Sequence, residues 1–276
     1  MNTTTNITAS DINKLRQATG AGMLDCRKAL TESNGDFEGA IDWLRKQGQK
    51  VAAKRSDREA KEGVILAKTT ADHKAGIIIC ISCETDFVSK NADFVAFAQS
   101  IADAAIQHNV KSVEELNNLE INGAKVADMI NDKLASIGEK IEISKFERIE
   151  APYVASYIHG ANRMGVLVGL NKEGAATGKD IAMQIAAMNP LALDESSIPE
   201  EVATREKNIA IELIKAEGKP AEMAEKIAAG KMNKFFKDNT LMAQAFVKDN
   251  TKSVADYIKS ADADLKVSEF KRVALG

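Results

Sequence analysis

Residues able to do acid–base or nucleophilic chemistry are few in this chain and far apart. The histidines are His73, His108 and His159, and none lies beside a nucleophile motif, so general-base catalysis has no obvious place to act. Cys80 and Cys83 form a single C-x-x-C. Their odd spacing sends them to opposite faces of a continuing strand, so they read as small buried hydrophobes rather than metal or redox ligands. No G-x-x-x-x-G-K-[ST] loop is present, and Gly20-Ala21-Gly22 follows a helix rather than a strand, which rules out a dinucleotide fingerprint. The carboxylate pairs Glu114-Glu115 and Glu200-Glu201 fall in polar helical stretches and read as solvated faces. What remains is "ISCETDFVSKN", residues 81–91, where an apolar run breaks into Thr85-Asp86-Phe87-Val88. Two readings are open. In one, Thr85 caps a helical turn, Asp86 favours its N-terminus and Phe87 packs underneath. In the other, ring and carboxylate are displayed outward as a probe for a partner's pocket.

The elements that must position this stretch fall into two textures. The first 50 residues read as three short helices. Ser10 or Asp11 caps the first, which carries Ile12, Leu15 and Ala18. Met23–Ser33 follows, with Met23, Cys26 and Leu30 on one face, and then Phe37–Gln47. Lys50–Lys61 is a charged helical or extended linker. From Gly63 the period changes: Val64–Ala67 and Ala75–Cys83 make a hairpin, and Ala92–Gln107 is an amphipathic helix. Helices follow at about 113–116 and 124–136, then a half-buried strand at 141–146. Tyr153–Ile158 and Val166–Leu170, turning through 159–165, repeat the hairpin, and Lys179–Met188 repeats the packed helix. Glu200–Glu217 and Ala221–Lys237 form an antiparallel helical hairpin reversed at Gly218-Lys219-Pro220. Its narrow apolar seam comprises Val202, Ile209, Leu213, Ile214, Met223, Ile227 and Met232. A short helix at 253–260 and a strand at 265–275 close the chain. The fold class is therefore α+β.

A length of 276 residues allows two domains or one large one. The hydrophobic share of 45% and charged share of 28% are those of an ordinary soluble protein. No apolar run approaches the ~18 residues that a membrane span needs. Met1-Asn2-Thr3-Thr4-Thr5 has neither a basic n-region nor an apolar h-region, so a cytoplasmic protein is expected. A net charge of −3 argues against bulk nucleic-acid binding, which needs a basic surface. Three cysteines cannot make a fully paired disulfide framework.

Several stretches carry a family resemblance. Thr19-Gly20-Ala21-Gly22-Met23-Leu24-Asp25-Cys26-Arg27-Lys28-Ala29-Leu30, followed by Asn34-Gly35-Asp36, resembles the N-terminal signature of bacterial elongation factor Ts. Thr85-Asp86-Phe87-Val88-Ser89-Lys90 resembles that family's second signature. Ile137-Gly138-Glu139, Tyr157-Ile158-His159-Gly160, Arg163-Met164-Gly165-Val166-Leu167-Val168 and the helical hairpin are similar too. The match runs along nearly the whole chain in the family's order.

The resemblance implies a guanine-nucleotide exchange factor, a non-enzymatic catalyst of GDP release, with elongation factor Tu as its partner in the GDP-bound and nucleotide-free states. No cofactor, no direct nucleotide binding, no membrane and no nucleic acid are expected. It implies a ubiquitin-associated-like three-helix domain at 1–55 that docks on the GTPase. A core of two related α+β subdomains would follow, at 56–148 and at 149–198 with 238–276, and a protruding coiled-coil arm at 199–237. By the same resemblance Thr85, Asp86, Phe87 and Val88 form an intruding turn. Phe87 wedges into the GTPase and Asp86 disturbs the groups that hold its Mg²⁺. Ile137, Gly138, His159, Gly20, Gly22, Met23 and Lys28 would make further partner contacts. Two departures stand out: Leu275-Gly276 where the family usually continues with Glu-Gly and a short tail, and Asn162 where glycine is frequent. Asparagine tolerates positive φ, so the turn is expected to survive. A scaffold or adaptor using the helical module and the arm is the alternative reading.

Overall fold

The computed structural model describes residues 7–218 and 221–276. The leader reading at Met1-Asn2-Thr3-Thr4-Thr5 and the Lys219-Pro220 part of the reversing loop lie outside the described residues. The fold is α+β and divides into two compact units. One takes in the chain to Lys68 with Ile78–Glu147 and Val273–Gly276; the other comprises Thr69–Ile77 and Arg148–Arg272.

The first unit opens with helices. Helix α1 (Ala9–Thr19) is capped by Thr8, not by Ser10 or Asp11. The Thr8 hydroxyl accepts the Asp11 N–H at 3.2 Å while the Asp11 carboxylate accepts the Thr8 N–H at 3.0 Å. Asp11 is therefore the reciprocal arm of a capping box. Gly20 ends the helix at φ +69°, its N–H donating to the Arg16 carbonyl at 2.7 Å. Helix α2 (Met23–Glu32) buries Cys26, Ala29 and Leu30. Met23, expected on that face, is 46% exposed because it sits one turn ahead of the buried stripe, where the small core runs out. Helix α3 (Phe37–Arg55) continues well past Gln47, so the expected linker is helical as far as Arg55. The extension has a tertiary cause as well as good helix formers in Ala53 and Lys54. Gly48 lies so close to a later helix that a Cβ there would sit 2.7 Å from the Ala135 Cβ.

Strands β1 (Glu62–Thr69) and β2 (Ala75–Cys83) follow as a hairpin, then the single-turn helix α4 (Asp86–Ser89) and α5 (Ala92–Gln107). Helix α5 is capped by Asn91 and buries Phe94, Ala98, Ile101, Ala102 and Ala105. Phe97 stays half-exposed beneath the Lys133 ammonium, 4.8 Å from its ring. Beyond α6 (Val113–Asn118), two short strands, β3 (Glu120–Ile121) and β4 (Ala124–Lys125), pair antiparallel. They turn on Asn122 and Gly123, both at positive φ. This Asn-Gly hairpin is why α7 (Val126–Ile137) starts later than its periodicity suggests. Strand β5 (Glu142–Glu150) completes a sheet of order β1-β2-β5. The central β2 is buried at every position, which is why its sequence is a continuous apolar run rather than an alternating one.

In the second unit β6 (Tyr153–His159) pairs antiparallel with β7 (Met164–Leu170), Tyr153 opposite Leu170 and His159 opposite Met164. The loop is thus only 160–163, with Gly160, Ala161 and Asn162 all at positive φ. Helix α8 (Ala175–Met188) ends on Asn189 at φ +44°. After a 3₁₀ turn at Glu195–Ser197 come α9 (Glu200–Ala216), α10 (Ala221–Asn239), β8 (Ala245–Phe246), β9 (Asp249–Ser253), α11 (Val254–Ala261) and β10 (Val267–Ala274). The sheet order is β10-β7-β6. In both sheets, therefore, a later strand lies against the second strand of a hairpin, so the two share one strand order.

The core of this unit packs Val166, Val168 and Leu170 against Ile181 and Ile185. Inside it the buried Gln184 donates to the Gln244 side chain (3.2 Å) and the Ala245 carbonyl (3.1 Å), and accepts the Val247 N–H (2.8 Å). Helices α9 and α10 meet through Ala210, Ile214 and Ala228. Ile209, Leu213 and Met223, expected in that seam, are 39%, 54% and 53% exposed. The alanines let the helices approach closely, which leaves the larger side chains on the edge of the contact.

Candidate functional site

Phe87 is 85% exposed, the most exposed of the large hydrophobic side chains described. It stands at the second position of α4, whose backbone closes through Ser89 N–H to the Thr85 carbonyl (3.3 Å) and Lys90 N–H to the Asp86 carbonyl (3.0 Å). The helical turn foreseen in the plainer reading is thus present, but the ring does not pack beneath it. Thr85 is extended at φ −124°, and its side chain makes no cap. Val88 is half-buried and Ser89 buried, so α4 turns one side inward and carries Phe87 on the other.

Asp86 pairs with the Lys90 ammonium at 2.6 Å, and that contact holds its carboxyl below the usual range and fully ionised near neutrality. Both groups face water, which screens the pair and leaves Asp86 free to change partners.

Behind the turn the anchoring is dense. The Glu139 carboxylate accepts the Glu84 N–H (3.1 Å), the Thr85 N–H (3.0 Å) and the Thr85 hydroxyl (2.7 Å). Glu84 in turn accepts the Lys140 N–H (2.6 Å) and the Arg55 guanidinium (2.6 Å), with Arg58 at 3.5 Å. Burial opposes the Glu84 charge, but the Lys140 N–H and the two guanidiniums outweigh it, and the carboxyl stays below its ordinary range. Cys83 donates its S–H to the Thr85 carbonyl. Burial, and then the Glu139 charge, push its thiol up to about 12.

The other residues singled out in the sequence fall in three places. Ile137, half-buried, and Gly138, the left-handed C-cap of α7 at φ +78°, immediately precede Glu139 and so adjoin the turn's anchor. Gly20 and Lys28 line a cleft of about 560 Å³ with Trp43, Phe97, Asp132 and Lys133. There the Lys28 ammonium lies 5.7 Å from the Trp43 ring. Burial is the main influence on the Asp132 carboxyl and raises it. Gly22 and Met23 are exposed at the start of α2, and the neighbouring Leu24, which sequence reasoning passed over, is 81% exposed. In the second unit His159 ends β6, exposed, with its Nδ1 3.0 Å from the Tyr157 hydroxyl. The sequence reading also gave no role to Glu139, Glu84, Arg55 or Lys140, although Glu84 and Glu139 stood inside the quoted motifs. Their pairing spans 55 positions and leaves no local pattern.

With the exposed turn and its anchors described, comparison with known proteins gives the chain a family. The family described as Elongation factor TS matches residues 84–276. The chain is 51% identical over 273 residues to the elongation factor Ts of Christiangramia forsetii, covering 98% of this chain and 99% of that one. It is 49% identical to that of Flavobacterium psychrophilum, with the same coverage, and 44% identical to that of Methylococcus capsulatus, covering 98% and 92%. The chain belongs to the elongation factor Ts family, a family of translation elongation factors. No helix of the described residues is long and apolar enough to cross a membrane.

Proposed function

We propose that this chain is the non-enzymatic guanine-nucleotide exchange factor for elongation factor Tu, acting in the cytoplasm by inserting the turn Thr85–Val88 into the GDP-bound GTPase. Phe87 wedges between elements of the partner, and Asp86 perturbs the groups that hold its Mg²⁺. GDP leaves and GTP can enter. The observation that carries this reading is the 85% exposure of the Phe87 ring on an otherwise well-anchored turn.

The energetics are adequate. Fully burying a phenylalanine side chain stabilises by about 1.5–3 kcal/mol. If that burial is available only in the nucleotide-free partner, it lowers nucleotide affinity by roughly one to two decades. Displacing Mg²⁺ adds to this, because the ion is the largest positive charge near the phosphates. The remaining contacts supply docking. Residues 1–55 form a ubiquitin-associated-like domain that meets the GTPase through Gly20, Gly22, Met23 and Lys28. Ile137, Gly138 and His159 touch the partner from the core at 56–148 and at 149–198 with 238–276. Residues 199–237 form the coiled-coil arm. The factor itself binds no nucleotide.

Release of fluorescent GDP from elongation factor Tu tests the reading. Phe87→Ala should slow stimulated release at least tenfold and leave the melting temperature of the free factor nearly unchanged, since a ring 85% exposed has little internal contact to lose. A wild-type release rate would overturn it.

A further inference from the structure

The strand exit that launches the turn is held by two carboxylates, each accepting backbone N–H groups from the segment that carries the other. Glu139 receives the N–H groups of Glu84 and Thr85, and Glu84 receives the N–H of Lys140. Two successive amides can converge on one carboxylate oxygen, as those of residues 84 and 85 do on Glu139 Oε2, only if both peptide planes are fixed. Those planes set the direction in which residues 86 and 87 leave β2. The Thr85 hydroxyl, which at a helix N-cap ordinarily accepts a backbone N–H, is here turned to donate to Glu139 Oε1 instead. The helix cap is given up and the clasp is kept. Arg55, the last residue of α3, binds the same Glu84 oxygen, Oε1, that accepts the Lys140 N–H.

We infer that Glu139 is the positioning residue of the exchange turn: it touches neither partner nor nucleotide, and it fixes the angle at which Phe87 and Asp86 are presented. The inference rests on the exchange reading above. It also explains in physical terms why Ile137 and Gly138 belong to the same functional region, since a partner pressing on that loop moves the group that holds Thr85.

The test measures GDP release from elongation factor Tu across a range of factor concentrations for the full chain and four variants. Misplacing a reacting group by about 1 Å can cost roughly a hundredfold in rate. Glu139→Ala should therefore lower the rate at saturating factor by about ten- to a hundredfold and shift the half-saturating concentration less than about twofold. Glu139→Gln keeps a carbonyl acceptor for the two N–H groups and should recover most of the rate. Thr85→Val suits the extended backbone and removes only the hydroxyl leg, so it should give a smaller loss, and it serves if Glu139→Ala does not fold. Hydrogen exchange at the amides of residues 84 and 85 should rise in Glu139→Ala. A wild-type rate at saturation in Glu139→Ala and Thr85→Val, or a shift confined to half-saturation, overturns the inference. Phe87→Ala separates the two claims: if it is slow while Glu139→Ala is not, only the positioning role fails, and if Phe87→Ala is itself at the wild-type rate, the exchange reading fails.

Discussion

Cys83 and Phe87 lie four residues apart and differ in everything that matters for their chemistry. The sulfur is buried, donates to the Thr85 carbonyl and is held as a thiol, whereas the ring stands in water. Because the thiolate is the reactive form, Cys83 should resist a disulfide reagent at pH 8 in the native protein and react fully in denaturant. Labelling of the folded chain would mean that the strand exit opens. Glu84 gives a second expectation. Its carboxyl lies below the ordinary value of about 4.3, so its ionised contacts stabilise fully above that value and are lost as pH falls through the lower folded-state value. The stability gap between wild type and Glu84→Gln in urea should therefore be present at pH 6 and shrink below about pH 4. At this scale the sequence showed which side chains were unusual. It could not show which were held, since Glu139 and Thr85 meet only when α7 and β2 are folded.

Two mid-helix glycines make opposite predictions. Replacing an exposed helical glycine by alanine gains about 1 kcal/mol, and a Cβ on Gly230 in α10 meets nothing within 4 Å. Gly230→Ala should raise the urea midpoint. Gly48 has the same propensity to gain, but its Cβ would come 2.7 Å from that of Ala135. Crowding of that kind costs about 1–3 kcal/mol, so Gly48→Ala should lower the midpoint, and a rise would show that α3 and α7 separate easily. The same contact explains what periodicity could and could not deliver. The bounds of α5 and β2 were legible because their apolar spacing and flanking polar residues agree. The far half of α3 was not, because its order comes from packing on α7. Asn122-Gly123 was a local hairpin signal that went unread between two expected helices. The exposed Ile209, Leu213 and Met223 show the limit of a seam drawn from hydrophobicity alone, since the small Ala210 and Ala228 decide where the two helices touch.

For the whole molecule, the exchange proposed above is a linkage between two ligands of one GTPase, and the coupling must be equal in both directions. Whatever factor this chain takes from the affinity of GDP, GDP takes from the affinity of the chain. Titration of elongation factor Tu with this protein, with and without saturating GDP and Mg²⁺, should give dissociation constants in that same ratio. Phe87→Ala should shrink the ratio mainly by strengthening nothing and weakening the nucleotide-free complex. An equal loss in both complexes would make the ring a general contact instead. Just before the turn in sequence, β2 is buried along all nine of its residues, so it cannot flex without opening the interior around it. When a strut of this stiffness meets a softer neighbour, the displacement goes into the neighbour. The yielding should occur in the GTPase, and the factor should come away from each encounter unaltered and ready for the next.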